Sequence, residues 1–248
     1  KFKKKIKKIF QVKFRSFSKN FLSLIQKVNN NYDYYAFSDQ DDIWIKDKLT
    51  TSISKLKKGY SLYCSRTKLI DNDLNCIGFS PLFKKKPSFQ NSLVQSIAGG
   101  NTMVLTKELF ENIKNFKIKN AVSHDWLVYI LTSGQGFKIF YDPIPHILYR
   151  QHTNNLIGSN NNFFAKLNRI KNLLNFNFKN WTNSNLNIIE KHFDYLTNKN
   201  KLILLHFKNL RLSKTYLINS YLKKEFILFR QTLIANIVLR FSFFFKLI

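Results

Sequence analysis

Acidic residues are scarce in this chain: 14 Asp and Glu stand against 41 Lys and Arg in 248 residues, for a formal net charge of +27. Glycine and proline are scarce as well, at 7 and 4. So few turn-forming residues exclude a turn-dense all-β sandwich. Two cysteines, Cys64 and Cys76, make neither a disulfide framework nor a zinc pattern, and they fit a reducing, cytosolic setting. No secretory signal is visible. The most apolar stretch, Leu233 to Ile248, is interrupted by Asn236, Arg240 and Lys246 and is too short for a span of about 20 apolar residues. What the chain does have is apolar surface to bury: 44% of residues are hydrophobic and 25 are Phe, a globular rather than a disordered composition. The length supports one good core and a small appendage.

The excess positive charge needs an anionic partner. The basic residues are spread along the chain and form no recognisable DNA- or RNA-binding module, so nucleic acid ranks last. A phosphate-bearing small substrate or an anionic membrane surface accounts for the charge equally well.

Apolar periodicity predicts a helix over Ser18 to Val28 with Ser18 as its N-cap, and another over Asp47 to Lys57 with Leu49, Ile53 and Leu56 on one face. Strands are expected at 32–38, 61–64, 102–105, 137–141 and 147–149, with helices at 107–115 and 122–132. Residues 1–9 read as an edge strand or a frayed helix, Asp71-Asn72-Asp73 as a turn, and the 80s as a mobile loop. Alternating strand and helix argue an α/β fold with a mixed, Rossmann-like sheet over residues 1–160. Residues 161–248, free of Gly and Pro, read as two to four amphipathic helices. The last of these suits a membrane interface, because its apolar face is bordered by Lys and Arg; the alternative is a helix packed on the domain or on a partner subunit.

Against this basic background, Ser38-Asp39-Gln40-Asp41-Asp42-Ile43-Trp44 places three of the rare carboxylates within four residues. Like charges so close raise one another's pKa unless a cation neutralises them. A hard divalent cation with oxygen ligands is the usual partner. Capping of the next helix accounts for one of the three carboxylates. The aromatic strand just before them would put the group at a strand's C-terminal end, where α/β sheets bind ligands.

Three further features follow. Gly99-Gly100-Asn101 precedes a strand and permits close backbone approach, although a Gly-Gly pair is often only a turn. Ser123-His124-Asp125-Trp126 opens a helix; Asp125 there is a carboxylate available as a general base, or else Ser123 or Asp125 is simply the helix cap. Tyr149-Arg150-Gln151-His152 sets a guanidinium and an imidazole together, groups suited to phosphate and metal, although a lone histidine is often structural.

In this order and spacing, the four segments resemble the family 2 glycosyltransferases of GT-A fold, in particular their bacterial rhamnosyltransferase-like branch. The matching strings are Phe37 to Trp44 with Lys48-Leu49 after it, Gly99 to Leu105, His124-Asp125-Trp126 and Tyr149 to His152, within about residues 14–160. The resemblance implies transfer of a sugar from a nucleoside-diphosphate donor, dTDP-rhamnose or a UDP-sugar, to a hydroxyl of a surface-polysaccharide or lipid-linked glycan. It implies that Asp39 and Asp41 form an Asp-x-Asp pair for Mg²⁺ or Mn²⁺ with His152 completing the site and Asp42 in support. It further implies that Asp125 is the base, that Arg150 meets the diphosphate, that Gly99, Gly100 and Asn101 line the donor sugar, and that Trp44 and Trp126 wall the pocket. A single base opposite the leaving group implies inversion at the anomeric carbon.

One departure from the family is plain. The family opens with a strand, a helix and a second strand that hold the nucleotide, whereas only 17 residues precede Ser18 here and no Asp or Glu precedes Asp33. The expectation is an N-terminally truncated domain with an exposed sheet edge. Such a chain is either a peripheral enzyme on the inner face of the plasma membrane or an impaired relative that only binds a membrane or a partner.

Overall fold

The computed structural model describes residues 16–151, 177–225 and 227–248. The basic run at 1–9 and His152 therefore lie outside the described residues. In chain order the elements are α1 (Phe17–Lys27), β1 (Tyr34–Ala36), β2 (Ile43–Trp44), α2 (Lys48–Leu56), β3 (Leu62–Ser65), β4 (Lys68–Ile70), β5 (Cys76–Phe79), α3 (Phe89–Ser92), a 3-10 turn at Gly100–Thr102, β6 (Val104–Thr106), α4 (Lys107–Asn115), α5 (His124–Gly134), β7 (Ile139–Asp142) and β8 (Ile147–Arg150). Four helices follow among the described residues: α6 (Asn177–Lys191), α7 (Asn198–Leu212), α8 (Lys214–Leu222) and α9 (Leu233–Phe244).

The strands form two four-stranded mixed sheets rather than one, ordered β1-β6-β3-β7 and β2-β8-β4-β5. In the first, β1 and β3 flank β6 antiparallel to it, and β3 runs parallel to β7. The interior strand β3 is buried at every position, as a strand covered on both faces must be. Strand β1 pairs on one side alone among the described residues. In the second sheet β8 lies between β2 and β4, antiparallel to the first and parallel to the second.

These registers position the site. Ala36 opposes Val104, so the Gly-Gly turn entering β6 lies beside the acidic loop leaving β1. Ile43 opposes Leu148, so Tyr149 and Arg150 at the end of β8 come beside Asp41 and Asp42.

Helix α1 is capped by Ser16, not Ser18: Ser16 accepts from the Lys19 amide, while the Ser18 hydroxyl is buried and donates to the Ala121 carbonyl. In α2 the buried stripe is Lys48, Ser52 and Leu56: Leu56 faces inward as expected, Ile53 is half-buried, and Leu49 is exposed. The Asp71 turn forms, its carboxylate accepting from the amides of Asp73 and Asn75, and it closes the β4–β5 hairpin. The 80s are fastened rather than loose. Lys85 exchanges backbone hydrogen bonds with the Gln231 side chain, and the Ser88 amide donates to the Tyr129 hydroxyl. At the other end of the sheets, His146 Nδ1 lies 2.9 Å from Asp47 Oδ1, joining the start of β8 to the N-terminus of α2.

Helix α5 is buried on nearly every side and serves both cores. Leu127, Val128 and Leu131 join the sheet core with Leu22, Leu62 and Leu105. Trp126 and Ile130 join a second core with α3 and the C-terminal helices, built on Leu204, Phe207, Leu217 and Phe243. A helix apolar all round is the expected central element of such an arrangement.

Candidate active site

The acidic loop, the Gly-Gly turn, the N-terminus of α5 and the end of β8 meet at one place. Asp42 ties three of them to one another: its Oδ2 accepts from the Asn101 amide group, and its Oδ1 from the Arg150 backbone N–H at 3.3 Å. The Arg150 guanidinium binds two backbone carbonyls, of Asp41 at 3.2 Å and of Asn72 at 3.1 Å, and so braces the acidic loop against the hairpin turn.

Lys48 carries the compensating charge. It is 1% exposed, its Nζ donates to the Asn101 carbonyl at 2.7 Å, and it lies 3.5 Å from the centre of the Trp44 ring. Burial pushes the Lys48 pKa down to about 7, against the pull of Asp42 and Asp39. Asn101 is therefore gripped at both ends, its carbonyl by the lysine and its side chain by Asp42, which fixes the turn.

The carboxylates respond as crowded like charges do. Burial pushes Asp39 up to about 6, with Asp42 and Asp41 adding to the effect. Asp42 is also raised by burial, while its hydrogen bonds from Asn101 and Arg150 offset part of that rise. Asp125 is raised to about 6 by burial, although the backbone N–H groups of Trp126 and Gly100 aim at it. Asp39 adds to the rise, so the base candidate and the acidic loop share one electrostatic site. Ser123 caps α5, accepting from the Trp126 amide, and leaves Asp125 in the first turn.

Gly100 has a steric reason to be glycine: an added Cβ would lie 2.2 Å from His124 Nε2. His124 is itself buried between aromatic rings, stacked 4.2 Å from Phe21, and burial lowers its pKa to about 4. It therefore packs as a neutral ring that seats the turn on α5.

Most of the expected site residues converge here: Asp39, Asp41, Asp42, Gly99, Gly100, Asn101, Asp125 and Arg150. Trp44 sits behind Lys48. Trp126 does not wall this site: its indole N–H donates to the Ser92 carbonyl at 2.7 Å, and the ring lies in the second core. Two participants had no role assigned from sequence. Lys48 stood inside a quoted string, and the clue was its place on the i, i+4, i+8 stripe with Ser52 and Leu56. Tyr149 is the other, its pKa pushed up to about 12 by burial and by Asp42, Asp39, Asp41 and Asp125 in turn. All four carboxylates therefore lie within electrostatic reach of this one phenol.

Whether a divalent cation fits can be judged from the donor set. The carboxylates are oxygen donors whose mutual repulsion a cation would relieve, and Lys48 already supplies part of that relief. Among the described residues no three Asp, Glu, His or Cys side chains form a ready-made cage. The fit is to an ion such as Mg²⁺ or Mn²⁺ that takes one or two carboxylates and fills its other positions from water and phosphate.

The fold and the site thus define an α/β protein with a cluster of carboxylates at the strand ends. No family model matches the chain. Its sequence is 36% identical over 178 residues to dTDP-rhamnosyl transferase RfbG of Shigella flexneri, an alignment that covers 64% of this chain and 57% of that protein. The chain therefore spans little more than half the length of the curated relative it matches.

Proposed function

We propose that the chain carries the catalytic pocket of a glycosyltransferase that moves a sugar, with inversion, from a nucleoside-diphosphate donor to a hydroxyl of a surface-polysaccharide or lipid-linked glycan. The relative's name favours dTDP-rhamnose as the donor. The observation that carries the reading is the meeting of the Asp39-Asp41-Asp42 loop with Asp125 across the Gly-Gly turn, where Asn101 bonds Asp42 and the Gly100 N–H aims at Asp125: four carboxylates from two separate segments in a strongly basic chain.

The chemistry follows from those groups. An acceptor hydroxyl gives its proton to Asp125 as its oxygen bonds to the anomeric carbon. The bond from that carbon to the diphosphate breaks, and the electron pair leaves with the diphosphate. A carboxylate with its pKa raised to about 6 is a stronger base than an ordinary aspartate and stays ionised at pH 7. Asp39 and Asp41, with His152, would hold Mg²⁺ or Mn²⁺, whose positive charge stabilises the departing diphosphate. Asp42 and Arg150 keep the loop in place, and Gly99 to Asn101 offer backbone close to the sugar.

The test is product formation from dTDP-rhamnose and a glycan acceptor, followed by NMR. The wild type should give the inverted anomer. Asp125→Asn should lose roughly 10²- to 10⁴-fold in rate while keeping its fold, the usual contribution of a general base. A retained anomeric configuration, or an Asp125→Asn variant as fast as the wild type, would sink the reading. No turnover by a folded wild-type chain would favour the impaired, binding-only alternative.

A further inference from the structure

Helix α9 is apolar on its outward face as well as on its buried one. Its inward face carries Asn236 and Ser242 beside Leu239 and Phe243, whereas Leu233, Ile234, Ile237, Phe241 and Phe244 face outward, joined by Phe245 just past its end. The outward positions recur at three- and four-residue spacing, so they make one continuous apolar stripe. Leu233 and Ile234 are 77% and 74% exposed, and Phe241 and Phe245 are 58% and 61%. The inward polar groups are satisfied locally. Asn236 bonds the backbone of Arg230 and Thr232, and the Ser242 hydroxyl donates to the Val238 carbonyl. A helix that presents phenyl rings outward is matched to a medium other than water.

The charges beside the stripe indicate which medium. From residue 214 onward the basic residues are Lys214, Lys223, Lys224, Arg230, Arg240 and Lys246, against Glu225 alone. Lys214 Nζ lies 5.3 Å from the centre of the Phe244 ring, and the Arg240 guanidinium lies 5.6 Å from that of Tyr221. Lys224 and Arg240 border a cleft of about 650 Å³ floored by the phenyl rings of Phe241, Phe244 and Phe245. Apolar rings ringed by cations complement a lipid surface with acyl chains below and anionic headgroups above. A second copy of this basic face would bring like charges together. At 12 residues α9 is about 18 Å long, well short of a hydrocarbon core of about 30 Å, so it would lie along a bilayer rather than across it.

We propose that the outward face of α9, with the cations of α8 and of the segment after it, is a docking surface for an anionic lipid bilayer. This goes beyond the transfer chemistry and stands or falls independently of it.

The experiment is sedimentation of the full chain with phosphatidylcholine vesicles, with and without phosphatidylglycerol, at low and high salt. Binding to the anionic vesicles should be roughly tenfold or more stronger than to the neutral ones. The pair Phe241→Ser with Phe245→Ser should weaken it about tenfold at both salts, because lost apolar contact is not screened. The pair Lys224→Glu with Arg240→Glu should reduce binding to the neutral-vesicle level. The proposal is overturned if the wild type binds neither vesicle, or if both variants bind like the wild type, which would place binding elsewhere on the chain. It is equally overturned if the wild type is a dimer that the Phe pair abolishes and lipid does not disturb, since a second copy would then own this face.

Discussion

In residues 16–151 the chain buries charge: a lysine is 1% exposed beside the carboxylates of Asp39 and Asp42, and Asp41 and Asp125 lie within electrostatic reach of Asp39. In residues 177–248 it does the reverse, leaving Leu222, Leu233, Ile234 and Phe245 more than half exposed. Both arrangements are costly in isolation. Buried charge is destabilising unless matched, and exposed rings orient water without return. The difference teaches where each half expects help. The first has an internal partner in Lys48 and chemistry suited to a cation and phosphates. The second has no internal partner for its outward face among the described residues, and its surroundings must provide one.

The comparison breaks most severely at Lys48. Lys48→Met should cost on the order of 3 kcal/mol in chemical denaturation at neutral pH, because it leaves the Asn101 carbonyl and two carboxylates without their cation. It should also loosen the Gly99–Asn101 turn and with it the placement of Asp125. Stability within about 0.5 kcal/mol of wild type would mean that the carboxylates do not depend on the lysine.

A smaller effect separates the crowded carboxylates from ordinary ones. Asp39 has a folded-state pKa of about 6 against 3.8 unfolded, so between those values the folded chain holds a proton that the unfolded chain has released. Its contribution to stability therefore falls as pH rises through that window. Asp39→Asn should match the wild type near pH 4 and become the more stable of the two as pH passes 6. Comparing the two proteins cancels the opposing slope of His124, whose depressed pKa acts over the same window with the opposite sign. A variant that instead loses ground as pH rises would show Asp39 to be stabilised by its surroundings.

The smallest effect is expected in the helical half. Phe241→Ser with Phe245→Ser should leave the melting temperature of the lipid-free chain nearly unchanged, since neither ring is buried. A large drop would show that these rings carry the fold.

Much of the first half was legible in sequence because its signals are local. Helix α4 falls on the predicted residues, and α2, β3 and β8 within a residue or two. Helix α5 begins two residues later than expected, with Ser123, one of the two candidate caps, as its N-cap. Strands β2, β4 and β5 were not legible: β2 is two residues long, and β5 is an exposed strand with no apolar alternation. The site was legible as strings, but its wiring was not. That Asn101 is held by Lys48 and Asp42, or that Trp126 turns toward Ser92, depends on tertiary packing that sets segments 34 to 59 residues apart side by side. The C-terminal region read correctly as helices, and the outward apolar face of α9 emerges only when burial is known.

The central claim is that the acidic loop is a working donor site, and thermal melting with Mn²⁺ together with dTDP or UDP tests it most directly, on the wild type and on Asp41→Asn. A ligand that binds the folded state alone must raise the melting temperature by linkage. The account predicts a nucleotide-dependent rise that requires the metal, is larger with dTDP than with UDP, and vanishes in Asp41→Asn. A folded wild type whose melting temperature ignores both nucleotides with metal present, or an Asp41→Asn variant that shifts as far as the wild type, would contradict it.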